Sequence, residues 1–354
     1  MNTAHSAEIR FARTSSAVIV RPSTQLEKIY TKIPYIERLH RLGGALVIAK
    51  DFALTQESNS ADCLSFLTLN KGIRLTTAER ILVERLFLQI REQTIEIDRY
   101  NGMSSSAALE ELLVPSAALL MSSRGATVEA GGPIVGIKVP FEGLISLEDS
   151  AMLIVTGQTL CGRSVGLKEL RNPQLVRRVF YINSGLSDEA IADTLDHEKN
   201  HVLFDLFPLG LCSNEPGTVS NAGRMKTLND QMAREDEGFK ARLGMMVEFA
   251  RLVALSEVRV RVQELLNSGR VDFDPESLRS YKPSNDIDAY CRMDGYDPIR
   301  DTDLMRLIIT EMHNYYRLLG TVKLMINSLG VASTLQIISL LDYNDFEKVR
   351  AALS

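Results

Sequence analysis

The hydrophobic pattern of this chain divides it into helical flanks and a middle that reads as strands. Residues 1–70 pattern weakly and read as mixed short elements. Thr76 with Glu79 then makes a capping-box pattern, and Leu82, Leu86, Ile90 and Ile97 follow at helical spacing, so a helix is predicted up to Asn101-Gly102. Ser104 to Ser106 reads as a loop before a short helix over Leu109 to Leu120. In the middle, Ile134 to Val139, Ala151 to Gly157 and Val176 to Asn183 read as strands. Ser184-Gly185 breaks the chain. Ser187 caps a helix with Asp188 and Glu189 in its first turn, where acidic groups suit the helix dipole, and this helix is predicted to end at Phe207. Residues 208–235 read as a loop-rich excursion. A long helix follows from Phe239 to Leu266, ended by Asn267, Ser268 and Gly269. Residues 270–300, with Pro275, Pro283 and Pro298, read as turns. Asp301 caps a further long helix that stops near Gly330, and Ser333 with Gln336 makes a second capping box before a short C-terminal helix or pair.

The chain has 354 residues, enough for two domains or one large domain with added helices. It is 45% apolar and 24% charged, with a formal net charge of -5 and no long run of one sign. That balance is ordinary for a soluble globular protein, and it offers neither the basic stripe of a nucleic-acid binder nor support for a membrane-surface role. No stretch approaches the roughly 20 apolar residues that span a bilayer. The N-terminal residues show no signal-peptide pattern. Cys63, Cys161, Cys212 and Cys291 are far apart, which argues against a disulfide framework or a cysteine zinc site. A reducing, cytoplasmic setting is therefore expected, with no nucleic-acid or membrane partner. Gly43-Gly44 and Gly131-Gly132 do not form a phosphate loop. Gly162-Arg163-Ser164-Val165-Gly166 matches the GxSxG of a serine nucleophile elbow, but the expected strand stops near Gly157, and Asn172-Pro173 cuts short any helix beyond.

The chemistry points elsewhere. The helix from Ser187 to Phe207 carries His197-Glu198-Lys199-Asn200-His201, an HExxH sequence. A spacing of four puts both imidazoles on one helix face, one turn apart, as two ligands of a tetrahedral zinc require. Glu198 sits about 100° around the helix from His197, placed to take a proton from water without ligating the metal. Two of the five histidines fall in this pattern; His5 and His40 have no ligand spacing.

At His197, Glu198 and His201, and in the order of helices around them, the chain resembles the zincin metallopeptidases. The resemblance covers about residues 175–265 and implies zinc on the two histidines with Glu198 as general base. The metzincin extension fails, because its Gly and His positions are Phe204 and Phe207. Thermolysin-like gluzincins complete the site with a glutamate from a later helix. In the helix from Phe239 the apolar stripe Leu243, Met246, Val247, Ala250, Val253 and Ala254 continues into Glu257, a carboxylate that needs a partner or a metal. Glu257 is the preferred third ligand. Glu264, Asp205 and Glu311 remain as alternatives, with Asp205 either a ligand or an outer support of the site, and an ion pair with Arg261 would be the bland role for Glu257. Asp193 either orients His197 or is a solvated charge. Among His313, Tyr281, Tyr290, Tyr315 and Tyr316 the sequence cannot choose an oxyanion donor.

The expected class is α+β, a zincin-like core with a small sheet and an HExxH helix plus long additional helices. The expected layout is a mixed, helix-rich N-terminal region (1–125), a zincin-like metallopeptidase core (126–270) and a C-terminal helical region (271–354). The expected function is zinc-dependent hydrolysis of a peptide or protein substrate. An edge strand, Val176 to Asn183 or Ile134 to Val139, would align that substrate. The alternatives are a non-catalytic zincin-like interaction module, and a regulator that cleaves one protein partner and could hide a DNA-binding segment in its C-terminal helices.

Overall fold

The structure is a computed structural model that describes residues 24–54, 59–100, 127–130, 135–139, 162–168, 176–183, 193, 197, 200–201, 203–209, 219–234, 238–278 and 281–354. The chain forms two compact units, residues 1–88 with 204–354 and residues 89–203.

The first unit is built from helices. α1 (Thr24–Lys32), α2 (Pro34–Ala53), α3 (Ser60–Leu69) and the start of α4 (Thr77–Tyr100) come from its N-terminal part. α5 (Asn221–Met232), α6 (Phe239–Ser268), α7 (Pro283–Met293), α8 (Thr302–Leu329), α9 (Val331–Ile338) and α10 (Phe346–Leu353) come from its C-terminal part. No described residue of this unit lies in a strand; it has one isolated bridge, Pro208 to Ser220. The class is all-helical, and this corrects the expected α+β fold with a zincin-like core and a sheet. The reason is visible in α2. Every residue from Leu42 to Ala49 is buried, so this half of the helix is apolar nearly all round. A run of that kind carries no clean period, and it reads as short mixed elements when only the sequence is known.

Four short strands are confined to the second unit: β1 (Thr127–Ala130), β2 (Val135–Val139), β3 (Gly162–Lys168) and β4 (Val176–Asn183), in the order β1-β2-β4-β3. β2 pairs with β1 and β4, and β4 pairs with β2 and β3. Both strands expected to lie at an edge are therefore internal, with both sides already hydrogen-bonded, and neither can add a peptide strand. The expected strand Ala151 to Gly157 and helix Leu109 to Leu120 lie outside the described residues.

Several helix ends follow the chemistry of their sequence. Thr76 Oγ1 accepts from the Glu79 amide at 3.3 Å, and Glu79 Oε2 accepts from the Thr76 amide at 2.9 Å, the reciprocal capping box. Asp301 accepts from the amides of Asp303 and Leu304. Gly269, at φ 67°, closes α6 in the left-handed region. Two stretches expected to be loops instead contain helices. In α5, Ser220 accepts from the Gly223 amide, so a Ser-Asn-x-Gly run that resembles a loop is a cap. In α7, Pro283 sits in the first turn, where its missing N–H is no loss. The second capping box does not form: Ser333 and Gln336 are buried inside α9, whose preceding turn is made by Gly330 at φ 82°.

α2 and α9 pack closely at Gly43. A Cβ built there would stand 1.9 Å from the backbone oxygen of Gln336, which cannot move aside alone. Gly43→Ala is expected to lower stability by about 1–3 kcal/mol, read as a lower denaturation midpoint with an unchanged slope.

His40, on the same helix, accepts or donates at Nδ1 to the Tyr30 hydroxyl at 2.8 Å, while its Nε2 is buried without a partner. Burial pushes its pKa down to about 4. Between its unfolded pKa near 6.5 and about 4, the unfolded chain takes up a proton and the folded chain does not. Stability is therefore expected to fall by on the order of 2 kcal/mol as pH drops through that window. Titrating the denaturation midpoint checks this, and His40→Gln should show a shallower fall.

No helix of the described residues is long and apolar enough to cross a membrane.

Candidate metal centre

Asp193, His197, Asn200, His201, Leu203, Phe204 and Asp205 are all helical, in agreement with the predicted histidine helix. Its last turn is fixed from below. Phe204 and Phe207, at the positions where a metzincin would carry Gly and His, are fully buried with ring centroids 5.2 Å apart. Lys50 of α2 lies over the Phe204 ring, 4.9 Å from its centroid, and donates to Gln263 of α6 at 2.9 Å. Burial pushes the Lys50 amine down from its usual range, against the upward pull of Asp51. Asp205, 4% exposed, accepts from Asn221 Nδ2 at 2.8 Å and from Ser256 Oγ at 3.0 Å.

The ligand atoms come together one and two turns before Asp205. His197 Nε2 and His201 Nε2 are 3.0 Å apart, with ring planes at 81°. His197, His201 and Glu257 are each half-buried. Two imidazoles and one carboxylate are the donor set of a catalytic zinc site, which keeps a fourth position open. Zinc bonds near 2.1 Å in a tetrahedral arrangement hold ligand atoms about 3.4 Å apart. The two nitrogens already stand near that separation, and side-chain rotation supplies the rest. The two imidazoles fit two ligand positions of that ion.

The competing carboxylates are engaged elsewhere. Glu311 is buried on α8 and accepts from Arg251 Nη2 at 2.6 Å, Arg251 Nε at 2.9 Å and Asn314 at 3.2 Å. Donating to Glu311 in turn raises the Arg251 guanidinium above its usual range. Glu264 accepts from Arg261 Nη1 at 2.9 Å, so Arg261 has a partner other than Glu257. Glu248 pairs with Arg224. Asp205 serves Asn221 and Ser256, as above. Asp193 is exposed, which suits a solvated charge. Glu198 lies outside the described residues.

Glu311→Ala leaves the partly exposed Arg251 without its buried partner and is expected to lower stability by about 3 kcal/mol. Zinc content should not change. Parallel unfolding and metal assays check both halves.

Of the five residues considered as oxyanion donors, Tyr281 and Tyr315 stand near Glu257. Burial raises both phenols well above their usual range, with Asp286 and then Glu257 adding to it at Tyr281 and Glu257 adding at Tyr315. Tyr281 donates to Ala250 O and Asp286, and Tyr315 to Leu278 O. Tyr290 stacks on Phe239, and His313 and Tyr316 are exposed. Beside the site, burial pushes the Arg259 guanidinium down to about 10, while Asp205 and Asp342 hold it up.

Ser164 of the GxSxG sequence lies within β3, opposite Phe180 of β4. A residue in mid-strand is not on the sharp strand-to-helix turn that a nucleophile elbow needs.

The sequence pattern missed Ser256, Asn221 and Lys50 as supports of the site. Ser256 had a signal, a hydroxyl in a stretch whose neighbours are otherwise apolar and next to Glu257. Asn221 had none. Compared with known proteins, the chain matches no family model, no curated protein and no solved structure.

Proposed function

We propose that the chain is a zinc-dependent metallopeptidase acting on a peptide or protein substrate. The observation that carries this reading is the pair His197 and His201, one turn apart on one helix with their Nε2 atoms 3.0 Å apart; Glu257, 56 positions beyond His201, completes in this reading a donor set suited to zinc. Zinc, when bound, supplies a Lewis acid that polarises a carbonyl and makes water more acidic. The chain's own residues do the rest. The two imidazoles and Glu257 hold the ion and leave one side open. Glu198 takes a proton from the attacking water and returns it to the departing amine. The test is hydrolysis of a mixed peptide library by wild type and Glu198→Gln. A reducing, cytoplasmic setting for this activity accords with four cysteines far apart in the sequence.

A second reading is a non-catalytic interaction module that holds zinc structurally. Two observations favour it: the unit that supplies Glu257 is all-helical, and β2 and β4 are internal strands that offer no edge to a substrate. Metal binding without hydrolysis would select it.

A further inference from the structure

α9 is buried from end to end and packs against α2, α6 and α8. Val331, Ala332, Leu335, Ile337 and Ile338 give it an apolar surface, and apolar contact has no direction. Its hydroxyls are spent within the same stretch of chain: Thr334 Oγ1 donates to Gly330 O at 2.8 Å, and Ser339 Oγ to Leu335 O at 2.6 Å. The close approach of Gln336 to Gly43 sets how near α9 comes to α2. Directional contact with α6 comes from Arg259, which is 1% exposed. Its Nε donates to Ile338 O at 2.9 Å and its Nη2 to Leu341 O at 3.4 Å. The turn after α9 is otherwise closed on Leu335 and Ile337, which accept from the amide of Ser339 and from those of Leu340 and Leu341. The guanidinium therefore caps carbonyls at the C-terminal end, where a helix favours a cation. Burial disfavours its charge, and the carboxylates of Asp205 and Asp342 offset that cost.

We infer that Arg259, balanced by Asp205, is a register lock: its fork onto Ile338 O and Leu341 O fixes which turn of α9 meets α6 and excludes the other seatings that an apolar surface allows. A slip of α9 by one residue moves those carbonyls about 1.5 Å along the axis and about 100° around it, so the fork loses both acceptors. The slipped state then buries a guanidinium without hydrogen bonds, which costs far more than an apolar mismatch. Arg259, Asp205 and α9 all belong to the helical unit, and the lock stands whether or not zinc is bound.

The test compares the full wild-type chain with Arg259→Met, Arg259→Lys, Asp205→Asn and the double variant Arg259→Met with Asp205→Asn. Urea unfolding and methyl NMR of isotope-labelled isoleucine, leucine and valine are the two readouts. Arg259→Met is expected to raise the unfolding equilibrium constant roughly 100- to 1,000-fold. Arg259→Lys recovers only part of this, because an ammonium does not fork onto two carbonyls. In the double variant the loss is smaller than the product of the two single effects, which marks the pair as coupled. The readout specific to register is the methyl signals of Leu335, Ile337, Ile338 and Leu341. They split or broaden in Arg259→Met and in the double variant, as α9 takes more than one seating, while the signal of Leu67 in α3 stays single. Should Arg259→Met fail to fold, Arg259→Lys decides by the same signals. A folded variant that is destabilised yet keeps one sharp set of α9 methyl signals would overturn the lock and reduce Arg259 to a stabilising contact. Losses that simply multiply in the double variant would overturn the part given to Asp205.

Discussion

Glu198→Gln is expected to lower peptide hydrolysis by about 100- to 10,000-fold while zinc content stays at the wild-type level. Glutamine keeps the shape and the hydrogen-bonding capacity of the side chain. It cannot take up a proton at neutral pH, so it removes the base and little else. The neighbouring positions explain why zinc should remain: an HExxH helix points its two histidines one way and its glutamate about 100° aside. Hydrolysis equal to wild type would sink the peptidase reading, and loss of zinc would mean that Glu198 is a ligand and not a base.

Glu257→Ala is expected to weaken zinc binding by more than about 100-fold, since loss of an outer support alone costs 10- to 100-fold. Glu264→Ala and Glu311→Ala should leave it unchanged, because those carboxylates answer to Arg261 and Arg251. Glu257 is half-buried on a helix whose neighbours Ser256 and Val258 are buried, so truncation removes a ligand without opening a large core cavity. Isothermal titration with zinc across the three variants separates the candidates. Equal losses in Glu257→Ala and Glu264→Ala would point to a general charge effect instead of ligation.

The local parts of this molecule were legible in its sequence. The caps at Thr76 and Asp301, the Gly269 stop and the long helix from Phe239 all rest on short-range chemistry that a linear pattern records. The pairing of two histidines is equally local. Glu257 was within reach because one carboxylate on an apolar stripe is conspicuous. The class was not legible. The second half of α2, Leu42 to Ala49, and the whole of α9 are buried on every side, and burial on every side erases the polar face from which helical period is read. α5 and α7 open with Ser-Asn-x-Gly and Lys-Pro-Ser-Asn, runs that serve loops and helix starts alike. Of the four short strands, β2 and β4 were visible and β1 and β3 were not, and the order in the sheet depends on long-range pairing, which a strand's own sequence does not specify. The Asp205 hydrogen bonds join residues 16 and 51 positions apart for the same reason.

His197, His201 and Glu257 are expected to bind one zinc ion. Metal content by mass spectrometry, on purified wild type and on His201→Ala after addition and removal of excess zinc, tests it most directly. About one zinc per chain is expected in wild type and none retained in His201→Ala. Metal-free wild-type protein under the same loading, or a His201→Ala variant that keeps its zinc, would contradict it.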